Sequence, residues 1–188
     1  YKKNIYNNKN YIIQLKNIID NCGCITIKFI QWILPIIHTI YGPNNLYNEL
    51  LSYLDNCNIH ELDYTKNIFK KDFNYNIDDK YIIKEVIASG SIGQVYIIKD
   101  KIYNTELCMK VIHPNLYKQY YSFYMIYYFF SFFINIYKFI PIANLNIFLL
   151  DIKKQFNLID EANNCLQLKE LSDNKVIIIP DIIQFSKN

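Results

Sequence analysis

With 188 residues, 52% of them hydrophobic and 20% charged, the chain has room for one domain and part of a second, and enough apolar mass to bury a core. Its formal net charge is only +3 and no basic tract interleaves with aromatic residues, which argues against a nucleic-acid partner. The five cysteines, Cys22, Cys24, Cys57, Cys108 and Cys165, are odd in number and form no C-x-x-C pair. They predict buried thiols in an intracellular, reducing compartment, with no disulfide framework and no metal site.

Residues 1–10 are polar and carry Lys2, Lys3 and Lys9, without the apolar core of a secretory signal. Over residues 11–40 apolar positions recur at helical spacing, with breaks expected near Gly23 and Pro35. Gly42-Pro43-Asn44-Asn45 predicts a turn. Leu46, Leu50, Leu51 and Leu54 then fall on one face of a helix over residues 46–54. A second short helix is expected over 63–71. The polar run 70–80 marks the junction between a helical extension, residues 1–75, and a second unit, residues 76–188. Strands are expected at about 81–87, 94–99 and 106–112, helix from about 116 to 170, and a short β-branched strand over 176–179 ahead of Pro180. The pattern is that of an α+β fold: an antiparallel sheet with helices, preceded by a helical extension.

The window YIIKEVIASGSIGQVYIIKDKIYNTELCMKVIHP, residues 81–114, carries most of the chemistry. An apolar strand enters a glycine loop, a second strand leaves it, and a third bears a single lysine, Lys110, between Met109 and Val111. Ala88, Gly90, Gly93 and Val95 stand in the pattern A-x-G-x-x-G-x-V. Glycine permits φ > 0 and lets backbone N–H groups approach an anion. Lys110 follows Val95 by 15 residues, room for one strand, a turn and a second strand. A loop over nucleotide phosphates with a strand-borne lysine is the layout of a kinase-type hairpin. The alternative is an ordinary β-meander with a surface lysine.

These residues resemble the UbiB/ADCK family of atypical, protein-kinase-like enzymes. Ala88-Ser89-Gly90-Ser91-Ile92-Gly93-Gln94-Val95 is similar to the family's alanine-rich loop, and Cys108-Met109-Lys110-Val111-Ile112-His113-Pro114 to its A-V-K-V-x-H-P segment. Upstream, Ile27-Lys28-Phe29-Ile30-Gln31-Trp32 resembles I-K-x-G-Q-W, with Ile30 in place of glycine. Downstream, residues 155–164 resemble the stretch ending in E-A-x-N, which holds Glu161. The resemblance implies a kinase-like small lobe in which residues 88–95 and Lys110 bind ATP phosphates, with Mg²⁺ as the accompanying ion. It implies that Glu161 pairs with Lys110, where the alternative is a solvated surface glutamate. It implies a regulatory insert in which Lys28 and Gln31 reach the site and meet an acidic E-x-D pair. It links the family to isoprenoid-quinone lipid metabolism.

Three departures stand out. The acidic pair reads Gln155-Phe156-Asn157, and an amide offers hydrogen bonds without charge. The family's S-T-R-P-D segment is replaced by residues 33–38. Phosphoryl transfer also needs a catalytic-loop aspartate and a metal-binding aspartate after the small lobe, and neither follows in these 188 residues. Asp72-Phe73-Asn74 mimics D-F-G but precedes the loop, and His113-Pro114-Asn115 belongs to the third strand. The expectation is an N-terminal half-site without its large lobe. A partner chain supplying that lobe, or a non-catalytic nucleotide- or partner-binding module, remain open.

Residues 119–137 contain no charged residue between Lys118 and Lys138. As a helix they would span about 28 Å, near the ~30 Å of a bilayer core. The stretch fits a spanning helix, peripheral contact with membrane lipid, or plain core packing; its six tyrosines, Tyr120 to Tyr137, argue against a bilayer centre.

Overall fold

Gly23 divides the N-terminal apolar repeat into two helices, α1 (Lys9–Cys22) and α2 (Cys24–Tyr41). Its φ is +86°, a backbone state that only glycine adopts freely, and an added Cβ would lie 2.7 Å from the Gln119 side chain. The computed structural model describes residues 9–42, 47–50, 57–133, 145–172 and 177–188. The second expected break, at Pro35, does not occur: α2 runs through it. A mid-helix proline costs about 3 kcal/mol. Burial of Ile25, Ile27, Ile33 and Leu34 on that helix outweighs the cost. Ile27 and Leu34 pack with Ile19 of α1, Leu50 and Cys57. Residues 47–50 are helical; the remainder of the expected turn after Gly42 and of the 46–54 helix lies outside the described residues.

The expected 63–71 helix is α3 (Leu62–Phe73), and the polar junction contains a single further turn, α4 (Ile77–Lys80). Asn74, in the left-handed region at φ 62°, ends α3 and donates its N–H to the Lys70 carbonyl. Asp72-Phe73-Asn74 is therefore the close of a helix. A capping box between Asn76 and Asp79 opens α4.

Three strands follow, β1 (Tyr81–Ser89), β2 (Gly93–Asp100) and β3 (Glu106–Ile112), paired antiparallel in the order β1-β2-β3. The turn from β2 to β3 is closed by the Asp100 carboxylate, which accepts the Ile102 and Tyr103 N–H groups at 2.8 and 3.0 Å. Strand alternation sends Tyr81, Tyr96, Ile98 and Val111 into one core with Phe69 of α3 and Ile77 of α4. On the other face Ala88 pairs with Val95, and Val95 with Lys110. This row crosses all three strands.

The expected long helical region is interrupted. It comprises α5 (Leu116–Phe133), α6 (Leu145–Lys154) and α7 (Leu158–Leu171), with residues 134–144 outside the described set. Leu116 and Tyr120 of α5 meet Phe148, Leu149 and Ile152 of α6, Ile25 of α2 and Phe156 in one buried cluster. Beyond Tyr120 most of α5 is exposed, Tyr124, Met125, Phe129 and Phe132 included. Among the described residues no helix is long and apolar enough to cross a membrane.

The strand expected over 176–179 is not formed. Val176 lies outside the described residues, and 177–180 are irregular, with Ile178 94% exposed. The segment is held elsewhere: Asp181 pairs with Lys169, Gln184 accepts from Tyr75, and Ser186 and Asn188 donate to Asp72. These polar ties draw it along α7 and the end of α3, away from a sheet edge. The expectation of buried thiols also needs correction. All five cysteines are free, but Cys22 and Cys108 are exposed and Cys57 alone is buried.

The two loop glycines make different demands. An added Cβ at Gly93 would lie 2.7 Å from the Val111 carbonyl oxygen, whereas at Gly90 the nearest atom is 3.7 Å away. Gly93→Ala should therefore lose about 1–3 kcal/mol in urea unfolding through overpacking against β3. Gly90→Ala should stay within about 0.5 kcal/mol of the parent.

Candidate functional site

Lys110 projects from the half-open face of the sheet and meets Glu161 in the first turn of α7. Its Nζ donates to both carboxylate oxygens, at 2.7 and 2.6 Å. The two side chains are 38% and 54% exposed. An ion pair this open contributes only about 0–1 kcal/mol to stability. Its consequence is directional: it aims the ammonium along the face that carries Ala88 and Val95.

The loop between β1 and β2 is anchored from within. The Gly90 N–H donates to the Gly93 carbonyl at 3.0 Å. Ile92 is buried in the cluster shared by α2, α5 and α6. Ser91, also buried, donates its hydroxyl to Gln31 Oε1 at 3.3 Å. Neither loop glycine has a positive φ; the glycines that do are Gly23 and Gly42. Gly93 is glycine because β3 approaches too closely for a side chain, a different reason from the left-handed turn expected of the sequence. Ala88 and Gly90 are exposed, Ser89 and Val95 partly so, and Gln94 is buried.

Behind the loop lies a chain of hydrogen bonds absent from the sequence reading. His113 Nε2 stands 2.8 Å from the Gly90 carbonyl, and His113 Nδ1 2.8 Å from His60 Nδ1. His60 Nε2 is 2.8 Å from Thr65 Oγ1, which is 2.7 Å from the Tyr96 hydroxyl. Gln94 Nε2 donates to that hydroxyl at 2.7 Å, and Gln94 Oε1 accepts the His60 N–H at 2.8 Å. Burial and the neighbouring His113 hold His60 down at about 4, and burial likewise lowers His113. Both rings are therefore neutral near pH 7. The sequence showed two unrelated histidines 53 positions apart. No spacing rule joins them; the register of β2 on β3 and the seating of α3 on the sheet do.

The four residues expected in a regulatory insert separate. Gln31 reaches the loop through Ser91. Lys28 forms no hydrogen bond or ion pair with Gln155 or Asn157; its charge is felt at Cys57. That thiol is pushed up to about 11 by burial and by Cys24 and Asp20, against the lowering effect of Lys28. Gln155 is exposed. Asn157 caps α7, its side chain accepting the Ile159 N–H at 3.2 Å. Here an amide serves as well as a carboxylate, because the cap needs an acceptor and not a charge. Among the described residues no group of three or more His, Cys, Asp or Glu is placed to hold a metal ion.

The model of the ABC1 atypical kinase-like domain matches residues 52–188. The chain belongs to that family. The match spans the sheet, the loop, Lys110 and Glu161 of this ABC1 domain, and it agrees with the resemblance to UbiB/ADCK enzymes; α1 and α2, with Lys28 and Gln31, precede it. No curated protein and no solved structure matches.

Because Asn157 sets the start of the helix that presents Glu161, Asn157→Ala should lower stability by about 0.5–2 kcal/mol in chemical unfolding, while Asn157→Asp should restore it.

Proposed function

We propose that this ABC1 domain is the phosphate-binding half-site of an atypical kinase or ATPase of the UbiB/ADCK type, with the family's link to isoprenoid-quinone lipid metabolism. The observation that carries the reading is the row Ala88–Val95–Lys110 closed by the two-pronged contact of Lys110 with Glu161. ATP is the implied ligand. Its phosphates would take the Lys110 ammonium as a charge-assisted donor. Glu161 keeps that ammonium oriented between binding events, and the buried anchors of Ser91 and Ile92 keep the loop from rearranging as it binds. Among the described residues no group of three or more His, Cys, Asp or Glu is placed to hold Mg²⁺.

A second reading is a module that binds a nucleotide or a protein partner without phosphoryl transfer. The exposed aromatic surface of α5 supports a further contact under either reading, with membrane lipid or with a chain that supplies the large lobe.

Binding of a fluorescent ATP analogue distinguishes these functions from a structural sheet. The 188-residue chain should bind it weakly, and Lys110→Ala should weaken binding about 10–100-fold, the worth of a charge-assisted hydrogen bond. ATP hydrolysis should stay at background in both, since the absent transition-state stabilisers are worth about 10³-fold or more in rate. Equal affinity in the parent and the variant would remove the half-site reading. Hydrolysis that vanishes in the variant would show that the site needs no further parts.

A further inference from the structure

The relay behind the glycine loop has a fixed acceptor at one end and a fixed donor at the other, and that fixes every proton in it. The Gly90 carbonyl can only accept, so His113 must carry its hydrogen on Nε2. His113 Nδ1 is then a bare acceptor, so His60 must donate from its Nδ1. His60 Nε2 in turn accepts, so the Thr65 hydroxyl donates to it and must itself accept from the Tyr96 hydroxyl. Tyr96 accepts from the Gln94 amide nitrogen, and the Gln94 amide oxygen accepts the His60 N–H. All six bonds run in one direction.

Such a chain has no place for another proton. Protonating His113 would set two N–H groups head-on at 2.8 Å between the rings. Relief by switching the His60 tautomer reverses its bond to Thr65 and strands the hydrogen of Tyr96, which is 2% exposed, without an acceptor. Protonating His60 opposes its Nε2 to the Thr65 hydroxyl with the same result. A stranded buried donor costs about 1–3 kcal/mol.

Other charges do not compensate. From α3, His60 faces Tyr64 edge-on at 5.0 Å and Thr65; from β2 it faces Tyr96 and Gln94; from the end of β3, His113. His113 also meets Ser89 Oγ at 3.4 Å, whose hydroxyl reaches the Asn58 carbonyl. The adjacent carboxylates Glu61 and Asp63 are exposed, and among the described residues His113 is the titratable neighbour that lowers His60.

We propose that His60 and His113 form a proton-controlled clamp behind the glycine loop, in which uptake of one proton breaks the relay that ties His113, and with it the Gly90 carbonyl it still holds from Nε2, to His60. The consequence for nucleotide binding rests on reading residues 88–95 as a phosphate loop; the clamp itself does not. His60 falls from about 6.5 when unfolded to about 4 when folded. Between these values the unfolded chain binds more protons, so stability is complete above pH ~6.5 and declines as pH falls toward 4.

Histidine ¹⁵N NMR of the 188-residue chain from pH 8 to 4 tests the clamp. At pH 7, His113 should be the Nε2–H tautomer and His60 the Nδ1–H tautomer, both neutral. His60 should titrate near 4 and His113 below its ordinary value, and the backbone amides of Gly90 and Ser91 should shift with the same midpoint as the rings. His113→Gln keeps a donor for the Gly90 carbonyl without a titrating ring, so its loop amides should lose that midpoint. A ring titrating near 6.5, the reverse tautomers, or loop amides indifferent to ring protonation would overturn the proposal; the wild-type titration decides this even if the variant does not fold. In parallel, affinity for the fluorescent ATP analogue should fall with the same midpoint as the rings in the parent and lose that midpoint in His113→Gln. Absence of nucleotide binding at every pH would remove the phosphate-loop reading and leave the clamp to stand on its NMR signature.

Discussion

The register that sets Val95 opposite Lys110 governs both faces of the sheet. Because side chains alternate along a strand, it sends Lys110 toward α7 and Val111 into the core beneath α3. A slip of one residue would bury the lysine and expose the valine. The same register brings Gly93 so close to the Val111 carbonyl that no side chain fits, and it places His113, just past β3, under the loop that opens β2. The ion pair with Glu161, the anchored loop and the histidine relay all depend on this one alignment.

The loop is held at three depths. Ile92 fastens it to the core shared by α2, α5 and α6, the relay holds the Gly90 carbonyl, and Gln31 reaches Ser91 from α2. Under the phosphate-binding function proposed above, a loop that is already ordered loses little conformational freedom on binding. The open flank of the site, where Lys110 and Glu161 are about half exposed, contrasts with the closed relay behind it.

The departures from the UbiB/ADCK pattern also acquire physical content. Asn157 in place of an acid retains an acceptor for the first turn of α7, so the helix that delivers Glu161 keeps its start. What the change forfeits is a negative charge that could have drawn Lys28, whose charge acts instead to lower the Cys57 thiol. Gln31 keeps its contact with the loop although Ile30 occupies the glycine position beside it. The ABC1 match begins at residue 52, beyond both Lys28 and Gln31.

Local pattern determined the three strands to within two residues and the break at Gly23, because period-two alternation and a positive φ are written in neighbouring residues, whereas the meeting of Lys110 with Glu161 was implied by the resemblance to UbiB/ADCK enzymes. It misjudged Pro35 and residues 177–179. Whether a proline is tolerated depends on what the rest of its helix buries, and whether a β-branched run becomes a strand depends on an edge being free and near. The relay was beyond its reach altogether. His60 and Thr65, Tyr96, and His113 come from three separate stretches of the chain, and only the packing of α3 on the sheet makes them consecutive. The tautomer of His113 follows from the Gly90 carbonyl it touches in space, and that of His60 from His113 in turn, facts that no spacing in the sequence encodes.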